Sequence, residues 1–349
     1  MTTLSLGKFS GALFGLAYGD AISFPALFHR THLFVERRRE FLWRTNRDSA
    51  RNHILRLTMP FTHRNAPETL EPFPTDDTEY AVFTAQTLLN AREISDTPFS
   101  AAWRERIVPI SDQVLTGFSE RAAIDNFKRG LEPPATGNDN PQHYDDSAVA
   151  RAVPIGLLCV NEPERAAHIA QLDAEVTNAE DGIYAARAMA VAIAQLTAGE
   201  NIAAALTHAR KEFPNDSWIA HGDQIARKCL HDAASPQDLL LALTQRVINT
   251  VYSYGNAAPE TLPAAFAIVE MCHGDLQNAV LCANAIPKSA DSLPAMVGAL
   301  CGAYQGVEAI SEIWRTQLNT CRGLCLPFVA GVQLDEIVQG LYDSATAYV

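Results

Sequence analysis

GIYAARAMAVAIAQLT, residues 182–197, repeats apolar groups three and four positions apart, the period that lines one face of an α-helix. The same spacing runs through 263–271 and 276–286, and no comparable stretch alternates β-branched with polar residues as a half-buried strand does. An all-α fold is expected. Gly274 and Asp275 stand between two of these segments as a helix stop and an N-cap, which predicts a helix hairpin. Gly298 and Gly302 lie four apart, as do Ala295, Ala299 and Ala303, so one helix carries two smooth flanks that a neighbouring backbone can approach closely.

Around these helices the chain runs to 349 residues, enough for one large domain or two average ones. No linker separates two halves, and we expect a single compact domain over 1–349. Two segments break the helical pattern. Between His29 and Arg64 there are nine arginines and no lysine in an otherwise acidic chain, which reads as an early insertion on the surface, either a solvated face or a clamp for phosphate. Residues 132–143, EPPATGNDNPQH, read as a loop. The formal net charge of −13 argues against nucleic acid and anionic membranes as partners. Seven cysteines, several inside apolar helical patterns, suit a reducing compartment, and the start of the chain does not read as a signal peptide, so a cytoplasmic protein is expected.

Three polar stretches, each leading into a helix, carry candidate chemistry. Pro74-Thr75-Asp76-Asp77-Thr78 precedes the amphipathic EYAVFTAQTLL. Two consecutive carboxylates beside a hydroxyl suit Mg²⁺ or Mn²⁺, yet Asp76 with Glu79 three residues on would also make a capping box. Lys288-Ser289-Ala290-Asp291-Ser292 precedes LPAMVGALCGAYQG, where Ser292 as N-cap and Pro294 in the first turn explain much of the pattern. Gln142-His143-Tyr144-Asp145-Asp146-Ser147 precedes AVARAVPIGLL, and its paired carboxylates beside His143 fit acid-base work, substrate binding or an N-cap at Asp145.

Taken in order, these stretches resemble the ADP-ribosylglycohydrolase family. The resemblance begins at Gly11-Ala12-Leu13-Phe14-Gly15-Leu16-Ala17-Tyr18-Gly19-Asp20-Ala21 and passes through Thr75-Asp76-Asp77-Thr78 and Arg151-Ala152-Val153-Pro154-Ile155-Gly156. It ends at Ala290-Asp291-Ser292 with Met296-Val297-Gly298-Ala299-Leu300. It implies an orthogonally packed helical bundle whose cleft holds divalent ions, Mg²⁺ or Mn²⁺, and hydrolysis at the anomeric carbon of an ADP-ribosyl group, on a small molecule or a protein.

By matching positions, Thr75, Asp76, Asp77, Asp291 and Ser292 would be metal ligands, with Asp76 and Asp77 also catalytic. His143, Asp145, Asp146 and Ser147 would contact substrate. Against the family pattern, Ser289 stands where an aspartate is usual, Ser292 where a threonine is, and Leu27 where a glutamate is. Those losses favour one ion over two, and leave as an alternative a member that binds ADP-ribosylated protein, nucleotide or a partner protein without turnover.

Overall fold

The computed structural model describes residues 4–23, 72–91, 95–248 and 255–347. Among them every regular element is helical, with sixteen α-helices and no strand. The arginine-rich stretch 29–64 and Leu27 lie outside the described residues. No helix among the described residues is long and apolar enough to cross a membrane.

The apolar run at 182–197 is the helix Asp181–Ala198, closed by Gly199 in the left-handed region at φ 105°. It is buried along nearly its whole length, through Ala185, Ala188, Met189, Ala192, Ile193 and Leu196, and packs against Ser147–Leu158 and Pro163–Ala174. A helix so rich in alanine lets its neighbours come close on several sides. The predicted hairpin is present: Ala258–Met271 ends near Gly274 at φ 75°, and the Asp275 side chain accepts from the Asn278 N–H to open Leu276–Asn284. The first of these helices starts five residues before the periodic stretch, because Pro259 suits a first turn and extends the helix backwards.

The contact that organises the site joins the first helix to one far along the chain. Leu6–Ser23 lies along Leu293–Gln305, and glycines on both sides remove the side chains between them. A Cβ placed on Gly15 would sit 2.1 Å from the Gly298 carbonyl oxygen, one on Gly302 would sit 1.9 Å from that of Gly11, and one on Gly19 would sit 1.9 Å from that of Pro294. The glycine flank expected from sequence is thus filled by the first helix. One consequence is functional: Asp20, in the last turn of the first helix, is carried toward Asp291 and Ser292, which lead into the second.

Candidate metal and active site

Asp20 is the post on which the first polar stretch is hung. It is 1% exposed, and its carboxylate accepts from the Thr75 backbone N–H at 2.7 Å, the Thr78 N–H at 3.1 Å, the Thr78 hydroxyl at 2.6 Å and the Thr75 hydroxyl. Burial raises its pKa to about 6 against the opposing pull of those donors. Held this way, Thr75 is the residue before the helix Asp76–Asn90, and Asp76 and Asp77 form its first turn.

The capping box that the spacing permits does not form. Asp76 is inside the helix rather than its N-cap, the N-cap residue Thr75 makes no side-chain cap of its own, and the Thr78 N–H goes to Asp20 instead. Glu79 turns away: its carboxylate accepts the backbone N–H groups of Leu324, Cys325 and Leu326 at 2.8–2.9 Å, tying the helix to the loop 323–326. Three amides from a distant loop outcompete the single N–H a capping box would satisfy.

The second and third polar stretches meet the first. Asp146, not Asp145, is the residue before Ser147–Leu158, and its carboxylate accepts from the Ser292 hydroxyl at 2.6 Å. Ser292 precedes Leu293–Gln305 with Pro294 in the first turn, as expected, but spends its hydroxyl on Asp146 instead of on its own helix. Asp291 accepts from the Asn256 side-chain amide at 3.1 Å, and the Asp146 N–H donates to the Asn256 carbonyl at 2.8 Å, so residues 255–257 bind these two stretches together. Asp145 takes its place there too, in an isolated bridge with Ala257.

Together these elements enclose a cleft of about 360 Å³ lined by Asp76, Asp77, Glu120, Asp145, Asp146 and Asp291, with Tyr80, Ser147, Asn256 and Ser292 among its neutral groups. Among the described lining residues there is no lysine or arginine. The carboxylates feel each other: Asp76 is raised well above the usual range by burial and then by Asp291, Asp20 and Glu120, and Asp77 by burial and then by Asp76, Asp20, Asp291 and Asp146. Asp146 rises to about 7 through burial, with Asp145 and Asp291 adding to it and the Ser292 hydroxyl opposing.

Of the residues singled out from sequence, Asp76, Asp77, Asp145, Asp146, Ser147, Asp291 and Ser292 line this one cleft. Thr75 stands just behind the wall with its hydroxyl on Asp20. His143 is not on the wall: its Nδ1 faces the Asn140 carbonyl at 3.0 Å and its Nε2 lies 3.7 Å from Glu180. Ser289 is fully buried, its hydroxyl 3.5 Å from the Gly255 carbonyl. Sequence reasoning passed over Asp20 as a positioning group, although it stands in the quoted Gly19-Asp20 pair. It also passed over Glu120, whose amphipathic helix gives no sign that its first turn opens onto the cleft.

The ADP-ribosylglycohydrolase family model matches residues 1–347. The uncharacterized protein YegU of Escherichia coli (strain K12) is 26% identical over 332 residues, covering 90% of this chain and 92% of that protein. A solved structure described as an ADP-ribosylglycohydrolase-related protein complex has the same fold, with a TM-score of 0.62 at 19% identity over 97% of this chain and 98% of that one. Matched along nearly its whole length, with its acidic helix starts gathered into one cleft, the chain belongs to the ADP-ribosylglycohydrolase family, a family of glycosyl hydrolases.

Proposed function

We propose that the protein is a divalent-metal-dependent hydrolase that cleaves an N- or O-glycosidic bond of an ADP-ribosyl or related ribosyl substrate, small or attached to protein, in the cytoplasm. The observation that carries the reading is the cleft's donor set. Asp76, Asp77, Asp146 and Asp291 crowd one another with no basic side chain among the described lining residues to offset them. Such crowding is unfavourable unless protons or a cation share the site.

Hard carboxylate oxygens with the hydroxyls of Thr75 and Ser292 suit Mg²⁺ or Mn²⁺. Both hydroxyls give their protons to carboxylates, to Asp20 and Asp146, and so keep lone pairs for an ion. Among the described residues no group of three or more His, Cys, Asp or Glu side chains is arranged as a ready cage. An ion here would therefore draw on one or two of Asp76, Asp77 and Asp291, the hydroxyls and water, a coordination natural to Mg²⁺. Ser289, with a hydroxyl where the family has a carboxylate, favours one ion over two.

When bound, the ion would orient ribose hydroxyls and lower the pKa of water. The chain's own residues do the rest. Asp20 fixes the Thr75–Thr78 turn, Asn256 holds Asp291, and the remaining carboxylates stabilise positive charge growing at the anomeric carbon. Calorimetric titration with Mn²⁺ and Mg²⁺, beside a hydrolysis screen over ADP-ribosyl-arginine, ADP-ribosyl-serine, O-acetyl-ADP-ribose and simple nucleosides, tests the reading. One ion per chain and turnover of at least one conjugate are expected. Binding of neither metal, or of metal without turnover of any conjugate, rejects it.

A further inference from the structure

Glu120 lines the same cleft, but from the first turn of Phe118–Lys128, an element that carries none of the residues assigned to the ion. It is 4% exposed. Behind it lies Arg151, wholly buried, whose Nε donates to Asp173 at 2.8 Å and whose Nη2 donates to the Thr177 hydroxyl at 2.8 Å. The third nitrogen, Nη1, has no hydrogen-bond partner and stands 4.0 Å from Glu120 Oε1. An arginine nitrogen left unsatisfied in the interior and pointed at a carboxyl is costly, and it makes sense where that carboxyl changes charge.

The other carboxyl oxygen, Oε2, lies against Gly117 and accepts from the Ser119 hydroxyl, and the Ser147 hydroxyl also bonds the carboxyl. A Cβ on Gly117, also a lining residue, would fall 2.6 Å from Glu120 Oε2 and push that end of the carboxyl aside. The Ser119 hydroxyl is 3.4 Å from Oε2. The charged and titratable groups around Glu120 are Asp145 and Arg151 from the third polar stretch and its helix, and Asp76 and Tyr80 from Asp76–Asn90. Burial and Asp145 favour the neutral acid, Arg151 favours the anion, and the balance leaves the pKa at about 7, where a group can both give and regain a proton.

We infer that Glu120 is the proton donor to the leaving group of the hydrolysis proposed above, on which this inference rests. As the C–N or C–O bond at the anomeric carbon breaks, its electron pair stays with the leaving atom, which takes the Glu120 proton. Water adds its oxygen to the anomeric carbon and releases one proton to solvent, from which Glu120 is reprotonated. Arg151 is a positioning residue that steadies the Glu120 anion until then.

The test uses the full chain with Mn²⁺ and two conjugates, ADP-ribosyl-serine, whose alkoxide must be protonated to leave, and 4-nitrophenyl ADP-ribose, whose phenolate leaves without help. Glu120→Gln should slow the serine conjugate on the order of 10²-fold to 10⁴-fold, change the nitrophenyl conjugate by less than about tenfold, and abolish the loss of rate at high pH. A purely structural role would slow both conjugates together and leave the pH profile intact, and that result overturns the inference. Glu120→Asp, which keeps a carboxyl before Arg151, should show the same split in milder form, so poor folding of the Gln variant does not shield the inference. Wild-type protein that turns over neither of these nor any conjugate of the screen above overturns the hydrolase reading itself, and the inference with it. If only another screened conjugate is cleaved, that one takes the place of the serine conjugate, and the same split against a nitrophenyl leaving group and the same change of pH profile are required.

Discussion

Replacing Gly298 by alanine adds one methyl group at one of the tightest points between Leu6–Ser23 and Leu293–Gln305. The new Cβ would sit 2.0 Å from the Gly15 carbonyl oxygen, and real Cβ contacts do not fall under 3.0 Å, so the helices must part by roughly 1 Å at this point. Neither neighbour can swing aside, since both are backbone. Parting the helices by that much loosens contacts made by Leu13, Leu16 and Met296, and a radial gap of about 0.5–1 Å forfeits a quarter to a half of each dispersion well. Overpacking of this kind costs about 1–3 kcal/mol and sometimes more, and alanine's better helix propensity returns at most about 1 kcal/mol.

We expect a net loss of about 2 kcal/mol, which for a chain of this size is a fall in Tm of roughly 3 °C. Metal affinity should fall as well, because Asp20 with its Thr75–Thr78 turn sits on one side of the widened contact and Asp291 on the other. Scanning calorimetry with and without Mn²⁺ reads both effects. Gly7→Ala is the control, because its Cβ would meet only the Ser5 hydroxyl at 3.6 Å, and it should leave Tm unchanged or slightly raised. If Gly298→Ala melts within about 1 °C of wild type, the close glycine contact does not hold the site together.

Other variants test other links. Asp77→Asn should abolish the Mn²⁺-induced rise in Tm yet melt higher than wild type without metal, since it removes one of several repelling carboxylates; metal-free melting and titration calorimetry check both halves. Asp291→Asn should likewise lose metal binding while the far-ultraviolet circular dichroism stays helical. Glu79→Gln presents an amide N–H to a site that serves three backbone donors and should cost about 2–4 kcal/mol in a denaturant melt. Arg151→Met strands Asp173 in the interior and should cost about 3–5 kcal/mol by the same measurement.

The helices were legible because apolar periodicity is a local property. The run at 182–197 marks its helix to within a residue at either end, and Gly274 with Asp275 marks a turn whose φ and cap both require those residue types. What the sequence could not state is which helices touch. The glycines at 298 and 302 signalled a close approach without naming the partner, and only the fold supplies Gly11 and Gly15. The site was harder for the same reason. Asp76, Asp77, Asp145, Asp146 and Asp291 all stand at or just before helix starts, where acidic residues are favoured for local reasons alone, and the resemblance was needed to single them out. Glu120 had neither signal: it belongs to none of the three polar stretches, and its place on the wall depends on how a separate helix packs.

Counting the donors each carboxylate has been given divides these acids by what they do. Asp20 receives four hydrogen bonds from Thr75 and Thr78, and Glu79 receives three backbone amides; their oxygens are committed inside the protein. A carboxylate so satisfied stabilises the fold and has little capacity left for a ligand. Asp76, Asp77 and Asp291 face the cleft and one another, so their crowding weakens the metal-free protein, and a bound cation would relieve it. Loss of the first kind of carboxylate should therefore lower stability with or without metal. Loss of the second should raise the stability of the metal-free protein and remove its response to metal. Capping chemistry cannot produce that reversal of sign, because asparagine caps a helix about as well as aspartate and would leave Tm the same with and without an ion.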